Sequence, residues 1–356
     1  MEFQNSLLRW FQKNQRPLPW RRHYRPYEVW ISEIMLQQTQ METALPYFRR
    51  WMERFPTIES VAKADPKAVL KAWQGLGYYS RARNLQETAK KILDIHGGEF
   101  PQKFEHILSL KGVGRYTAGA IASIAFNQDR PIVDGNVLRV LSRLHAIKKP
   151  IDLEKNKEFF WKLEESLIPK GGARNFNQAL MELGALVCLP QNPRCSVCPV
   201  RSFCEAAKRD EAERYPVRAK KRKKVIVHAA SLVLSKKDRF FIRRRPEGKI
   251  MGGLWEFPEW KLSFDRALSA RSVEKKVHDL VLKEFGPSVS KPESLGKIKR
   301  HYTHHHETLW LFRSRIKEKK EALSKSGWPQ AWATEADFER YPFSSAHAKI
   351  VSLLTA

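Results

Sequence analysis

Leu110-Lys111-Gly112-Val113-Gly114 leads through Arg115-Tyr116-Thr117 into a run of small residues, Ala118-Gly119-Ala120-Ile121-Ala122, and this stretch decides the fold. Two glycines around one aliphatic residue permit a tight turn with positive φ, which a side chain would resist. Such a turn bares backbone N–H groups at the start of the next helix, where a phosphate binds without a charged side chain. A plain turn between two helices is the alternative. Gly75-Leu76-Gly77-Tyr78-Tyr79 repeats the small–aliphatic–small logic, adds two aromatics, and is followed by Arg81 and Arg83. An aromatic on a turn beside arginines can wedge between bases, although either tyrosine would serve equally well as core packing.

Helical apolar spacing surrounds these turns. Pro26 suits a first helical turn, and Tyr27 to Gln40 runs without Gly or Pro. Residues 58–73, 80–95, 115–126 and 136–147 show helical spacing, and 173–187 is rich in helix formers. The character then changes. Val225 to Leu234 and Arg239 to Arg244 read as short strands around a charged turn, 271–285 as a helix, and Thr308 to Ile316 as another strand. An all-α part joined to an α+β part is expected, with no solenoid-type repeat.

A chain of 356 residues has room for two domains. It is 42% hydrophobic with 11 Trp and 19 Phe, which excludes wholesale disorder. The formal net charge is +27, divided as +11 over residues 1–214 and +16 over 215–356. So large an excess repels itself and points to a polyanionic partner, nucleic acid before an anionic membrane surface. Arg218-Ala219-Lys220-Lys221-Arg222-Lys223-Lys224 joins the halves, as a solvated linker or a strap on phosphates. No apolar run approaches a bilayer span, and the N-terminus lacks the order of a secretory signal. The expected compartment is the reducing cytoplasm, in association with the nucleoid.

Three features carry chemistry. Cys188, Cys195, Cys198 and Cys204 form the pattern C-x6-C-x2-C-x5-C on one short loop. A disulfide scaffold would spread its cysteines, so this is a site for a bound centre, and four thiolates suit either iron–sulfur or zinc. Glu33 interrupts an apolar stretch and has Val29, Trp30 and Leu36 on its helix face. Desolvation there would raise its pKa and make it a general acid; a buried ion pair with an arginine is the alternative. Asp134 precedes an amphipathic helix, where it could be a simple N-cap or could stabilise a developing cation.

Taken in order, VWISEIMLQQTQ, GLGYYSRARNL, LKGVGRYTAGA, IVDGNVLRVL and the four-Cys loop resemble the adenine DNA glycosylases of the MutY type, in the helix-hairpin-helix superfamily typified by endonuclease III. The resemblance is dense over residues 3–210 and weaker beyond. It implies an all-α helix-hairpin-helix glycosylase domain over 1–214 with an iron–sulfur cluster loop (188–204), a basic linker over 215–224, and a C-terminal α+β MutT-like (Nudix-like) domain over 225–356. It also implies a [4Fe–4S] cluster on Cys188, Cys195, Cys198 and Cys204. Glu33 matches the proton donor of the family and Asp134 the carboxylate that stabilises or traps the oxocarbenium-like sugar. Tyr116 and Asn136 match positions lining the active site. Tyr116 stands where strand-cleaving relatives carry a Schiff-base lysine, which implies a monofunctional enzyme leaving an abasic site. Gln37, Gln38 and Tyr78 match wedge residues and Leu76 a residue contacting the opposite base. Thr39, Gly112, Val113 and Gly114 complete the DNA-facing set of the first domain.

Adenine is a normal base, so selectivity must come from reading its partner. Gly253-Leu254-Trp255-Glu256-Phe257-Pro258 fits the MutT-like domain of this family, which recognises 8-oxoguanine. Tyr302-Thr303-His304 aligns with the aromatic-Ser-His lesion-reading turn, with Tyr in place of Phe and Thr in place of Ser. The metal-binding run of a Nudix hydrolase is missing after Gly253. His301, His304, His305 and His306 read as strand and turn residues rather than metal ligands. The implied partner is double-stranded DNA containing A:8-oxoG or A:G mispairs, bound by a monomer with no membrane involvement. Strand-cleaving base excision and non-catalytic DNA binding are the rival functions.

Overall fold

In a computed structural model of the chain, residues 2–219, 225–249, 251–263, 269–302, 305–316 and 327–355 are described. Most of the basic run 218–224, and both Thr303 and His304, fall outside them. The chain divides into two compact units: Met1–Lys63 with Asn84–Lys221, and Ala64–Arg83 with Arg222–Ala356. This grouping differs from the expected division into 1–214, a linker over 215–224 and 225–356 chiefly at residues 64–83. Residues 64–83 belong with the C-terminal unit, because their side chains bond to its main chain: the Tyr79 hydroxyl donates to Phe343 O and Lys71 Nζ to Phe338 O.

The helices up to the linker are α1 (Glu2–Asn14), α2 (Pro26–Leu36), α3 (Met41–Arg54), α4 (Ile58–Ala62), α5 (Pro66–Ala72), α6 (Ser80–His96), α7 (Phe104–Leu108), α8 (Arg115–Ala120), α9 (Gly135–Leu144), α10 (Glu154–Leu167), α11 (Ala173–Leu186) and α12 (Glu205–Lys208). In α2, Val29 through Met35 are all buried, which accounts for a helix apolar on nearly every side. It starts on Pro26 and stops earlier than the expected Gln40, since Gln37 leaves helical geometry and Gln38 takes φ +57. The expected helix over 58–73 is two helices. Asp65 caps α5 through its side chain, and Pro66 cannot continue a preceding helix. Leu7 and Phe11 of α1, Val140 and Leu141 of α9, Phe160 of α10, and Phe176, Leu180 and Leu183 of α11 form one core cluster. α8 continues into a single π-helical turn over Ile121–Ala125, a local widening often met near functional sites.

In the second unit, β1 (Val225–Lys236), β2 (Arg239–Arg244), β3 (Trp255–Glu256), β4 (Glu259–Leu262), β5 (Glu293–Tyr302), β6 (His305–Arg315) and β7 (Gln330–Ala333) form one mixed sheet. Its main path is β3-β2-β1-β6-β5, with β4 paired to β1 and β7 to β2. β1 and β6 run parallel in the register Val225↔His305 to Ser235↔Arg315. Alternation along β1 gives the strand two buried faces. Ala229 and Val233 enter one core with Phe257, Phe338, Phe343 and Ile350 of α14 (Ser345–Leu354, with α13 being Ala270–Phe285). Ala230, Leu232 and Leu234 enter the other, with Val273, Val277 and Val281 of α13. No helix among the described residues is long and apolar enough to cross a membrane.

Candidate active site

Glu33 is only 3% exposed, although it sits mid-helix with a carboxyl group. Its resolved partner is the Tyr116 hydroxyl, which donates to Oε2 at 2.8 Å. Among the described residues no ion pair reaches it, so the arginine alternative is not realised. Burial pushes its pKa up to about 7, the Tyr116 hydroxyl pulls the other way, and the neighbouring Asp134 charge adds to the rise. Tyr116 is itself held well above the usual phenol range by burial and by both carboxylates, so it remains a neutral donor.

Asp134 is the N-cap of α9. Its Oδ1 accepts the Val137 N–H at 2.7 Å, and its Oδ2 accepts from Asn136 Nδ2 at 3.2 Å. Burial raises its pKa, while the Val137 and Asn136 bonds oppose that rise and favour the carboxylate. The capping role is therefore real, and it orients the carboxylate rather than excluding a chemical role. Asn136 is fixed in turn by Arg139, whose Nη2 donates to its Oδ1 at 2.9 Å. Two glycines set the position of this loop. A Cβ on Gly119 of α8 would lie 2.3 Å from Pro131 O, and one on Gly184 of α11 would lie 2.6 Å from Asn136 Cβ.

In the hairpin, Gly112 takes φ +79 and Val113 is buried, while Gly112 and Gly114 are exposed. Gly114 is the N-cap of α8, so the turn that could meet a phosphate also begins the helix that carries Tyr116. Gln37 donates to Thr117 Oγ1 at 3.1 Å, which draws the end of α2 to α8; Gln38 is exposed at its positive φ, and Thr39 is half-buried. In the 64–83 segment, Tyr78 is 43% exposed while Leu76 is buried at 6%. Tyr302 ends β5 in register with His305 of β6.

All four cysteines are free thiols, and all four line one cavity together with Arg143, Val187 and Arg201. Among the described residues no group closes to hold a single metal ion. The shared cavity and the purely sulfur donor set fit a cluster. Burial pushes the Cys198 thiol up to about 11, so binding iron must displace protons. Arg143 is fully buried and has no counterpart among the expected site residues. It donates to Cys188 Sγ at 3.3 Å, to Leu189 O at 2.6 Å and to Ala212 O at 2.8 Å. Nothing in the sequence singles it out, since Arg139 and Arg143 share the polar side of α9 with Asn136 and Ser142.

Four carboxylates of the second unit, Glu256, Glu259, Glu284 and Glu307, are engaged with basic groups. Glu256 pairs with Arg243 and Arg245, Glu307 with Arg300, and Glu284 with Arg243. Burial would raise Glu259, yet His347, Arg300 and Arg245 hold it well below the usual carboxylate range. These carboxylates form a buried charge network.

The chain matches the HhH-GPD superfamily of base excision DNA repair proteins over residues 31–165, the iron–sulfur binding domain of endonuclease III over 188–204, and a NUDIX domain over 229–353. The fold and site define a base excision DNA glycosylase that hydrolyses N-glycosyl bonds, carries an iron–sulfur cluster on its four-cysteine loop, and bears a MutT-like C-terminal domain. It is 33% identical to the adenine DNA glycosylase of Mus musculus, over 98% of this chain and 77% of that protein. It is 40% identical to that of Buchnera aphidicola subsp. Schizaphis graminum, over 72% and 75%. The human adenine DNA glycosylase is 48% identical over 59% of this chain but only 40% of its own length. The chain belongs to the adenine DNA glycosylase family. A solved thermostable thymine-DNA glycosylase is similar with a TM-score of 0.54 and 30% identity, over 58% of this chain and 95% of its own. A trapped endonuclease III–DNA covalent intermediate shares the fold with a TM-score of 0.50 and 24% identity, over 58% and 94%.

Proposed function

We propose that this enzyme removes adenine opposite 8-oxoguanine or guanine in duplex DNA, by hydrolysis and without cutting the strand. The observation that carries the reading is the buried Glu33 carboxyl, poised at about 7 beside Asp134. With Oε2 held by Tyr116, the carboxyl proton faces substrate from the other oxygen and passes to a ring nitrogen of the extruded adenine. The bond from the sugar to the base then breaks with its electron pair on adenine, which leaves neutral. Asp134 stabilises the resulting sugar cation. Water adds to that cation, and the Glu33 carboxylate takes the water's proton, which restores the starting state. Tyr116 offers no amine for a Schiff base, so the product is an intact strand with an abasic site.

In this reading Gln37, Gln38 and Tyr78 act as wedges near the lesion, Leu76 contacts the opposite base, Thr39 faces the DNA, and Gly112, Val113 and Gly114 hold a phosphate. The turn of Tyr302, Thr303 and His304 reads the opposite base. The cluster orders the cysteine loop, and the excess positive charge makes binding strongly salt-dependent.

The test is incubation with duplexes that differ only in the base opposite adenine. Excision confined to 8-oxoguanine and guanine partners, with breakage only after alkali, is the expected result. Spontaneous breakage, or indifference to the partner, would refute it.

A further inference from the structure

Tyr78 stands on a turn built to stay still. It takes φ +47, and the Arg81 guanidinium lies 5.5 Å from its ring and 5.3 Å from that of Trp73. Arg81 donates to Leu76 O and Gly77 O, each at 3.2 Å, and Trp73 Nε1 donates to Gly77 O at 3.1 Å. A base-wedging aromatic is useful only if its support resists the push of the stack, and this turn is braced from within.

The brace continues into the C-terminal domain. The buried Tyr79 hydroxyl accepts the Gly75 N–H at 3.2 Å and donates to Phe343 O at 2.9 Å. Gln74 Oε1 accepts the Phe343 N–H at 3.2 Å. Lys71 Nζ donates to Phe338 O at 3.2 Å and to Tyr341 O at 3.3 Å, and Arg83 donates to Gly252 O at 2.6 Å. Phe338 and Phe343 are not loose anchors. Their rings meet edge to face, 5.6 Å apart, in the core beneath the sheet. Every one of these bonds ends on a main-chain atom, so the link does not depend on a flexible side chain in the receiving domain.

We propose that Tyr79, Gln74 and Lys71 are positioning residues that seat the Tyr78 turn on the MutT-like domain. The wedge is then carried by the same domain that reads the base opposite adenine. The inference rests on the proposed function in taking Tyr78 and the lesion-reading turn as DNA contacts. It adds a physical link between them. Free energy gained at the opposite base is delivered directly to the wedge, and the coupling must run both ways.

The test uses the full chain and a duplex with a non-hydrolysable adenine analogue opposite 8-oxoguanine or guanine and a fluorescent 2-aminopurine beside it. Wild-type binding should raise the 2-aminopurine signal as the bases unstack, more for 8-oxoguanine than for guanine. Tyr79→Phe, and separately Lys71→Ala combined with Gln74→Ala, should lower that signal and cut the preference between the two partners by about three- to tenfold, the scale of one or two lost hydrogen bonds. The thermal midpoint and affinity for undamaged duplex should change little, which separates positioning from general stability. If Tyr79→Phe fails to fold, the Lys71/Gln74 double variant decides. A wild-type signal and preference in the folded variants would overturn the proposal. A wild-type signal in Tyr78→Ala would instead overturn the assignment of Tyr78 to DNA.

Discussion

Glu33 and Glu182 occupy equally dry places in the helical unit, at 3% and 1% exposure, and end in opposite states. Burial pushes both upward. At Glu182, however, Arg16 Nε lies at 2.8 Å, Arg21 Nη2 at 2.9 Å and the Arg16 backbone N–H at 3.0 Å, and together they bring the carboxyl down to about 2. Glu33 has a neutral phenol and an acidic neighbour, and it stays near 7. Burial fixes the size of the penalty on a charge, and the partner decides whether that penalty is overcome. Arg21 connects the two. Its guanidinium is committed to Glu182, so its pull on Glu33 ranks below those of burial, Tyr116 and Asp134.

The largest effect should follow removal of the acid itself. Glu33→Gln keeps the shape and loses the proton, and single-turnover excision should fall about 10²–10⁴-fold while duplex affinity is retained. Near-normal turnover would end the general-acid role. Glu182→Gln attacks the other member of the pair. It leaves the nearly buried Arg21 and the part-exposed Arg16 without their carboxylate and should cost about 3 kcal/mol in denaturant unfolding. It also frees Arg21 to act on Glu33, so the alkaline limb of the rate profile should move to lower pH.

A third buried carboxyl sharpens the contrast. Glu164 of α10 is fully buried, and neither oxygen is within hydrogen-bond geometry of a partner among the described residues; the Ile132 N–H only partly offsets a burial that pushes the group to about 8. A folded-state pKa above the ordinary carboxylate value stabilises the protein fully below that ordinary value. The contribution is lost as pH rises through about 8. Thermal midpoints should therefore fall from pH 6 to pH 9, and Glu164→Gln should flatten that slope by on the order of 1–3 kcal/mol. The smallest effect belongs to Tyr116→Phe. Its hydroxyl lowers the Glu33 pKa, so removing it should shift the alkaline limb, ordinarily near 7, to higher pH and slow excision only severalfold.

Legibility in the sequence tracked locality. Glu33 was readable because three apolar neighbours share its helix face, and Asp134 because caps are local. The cysteine loop announced itself within 17 residues. What escaped were partnerships between distant segments. Arg16 and Arg21 meet Glu182 across more than 160 residues, and nothing near any of them says so. The grouping of 64–83 with the C-terminal unit was hidden for the same reason, since Lys71, Gln74 and Tyr79 bond to main-chain atoms that have no sequence signature. The break between α4 and α5 was in plain view at Asp65-Pro66, where apolar periodicity overrode a breaker that should have prevailed.

The loop that carries Asp134 is met at Pro131 by Gly119 and at Asn136 by Gly184, two positions that admit no methyl group. An enzyme pinched in this way has little freedom to re-aim its aspartate by gradual repacking, because the first carbon added at either wall meets main chain or a neighbouring Cβ. The direction of that carboxylate is thus held by the absence of a side chain at two places.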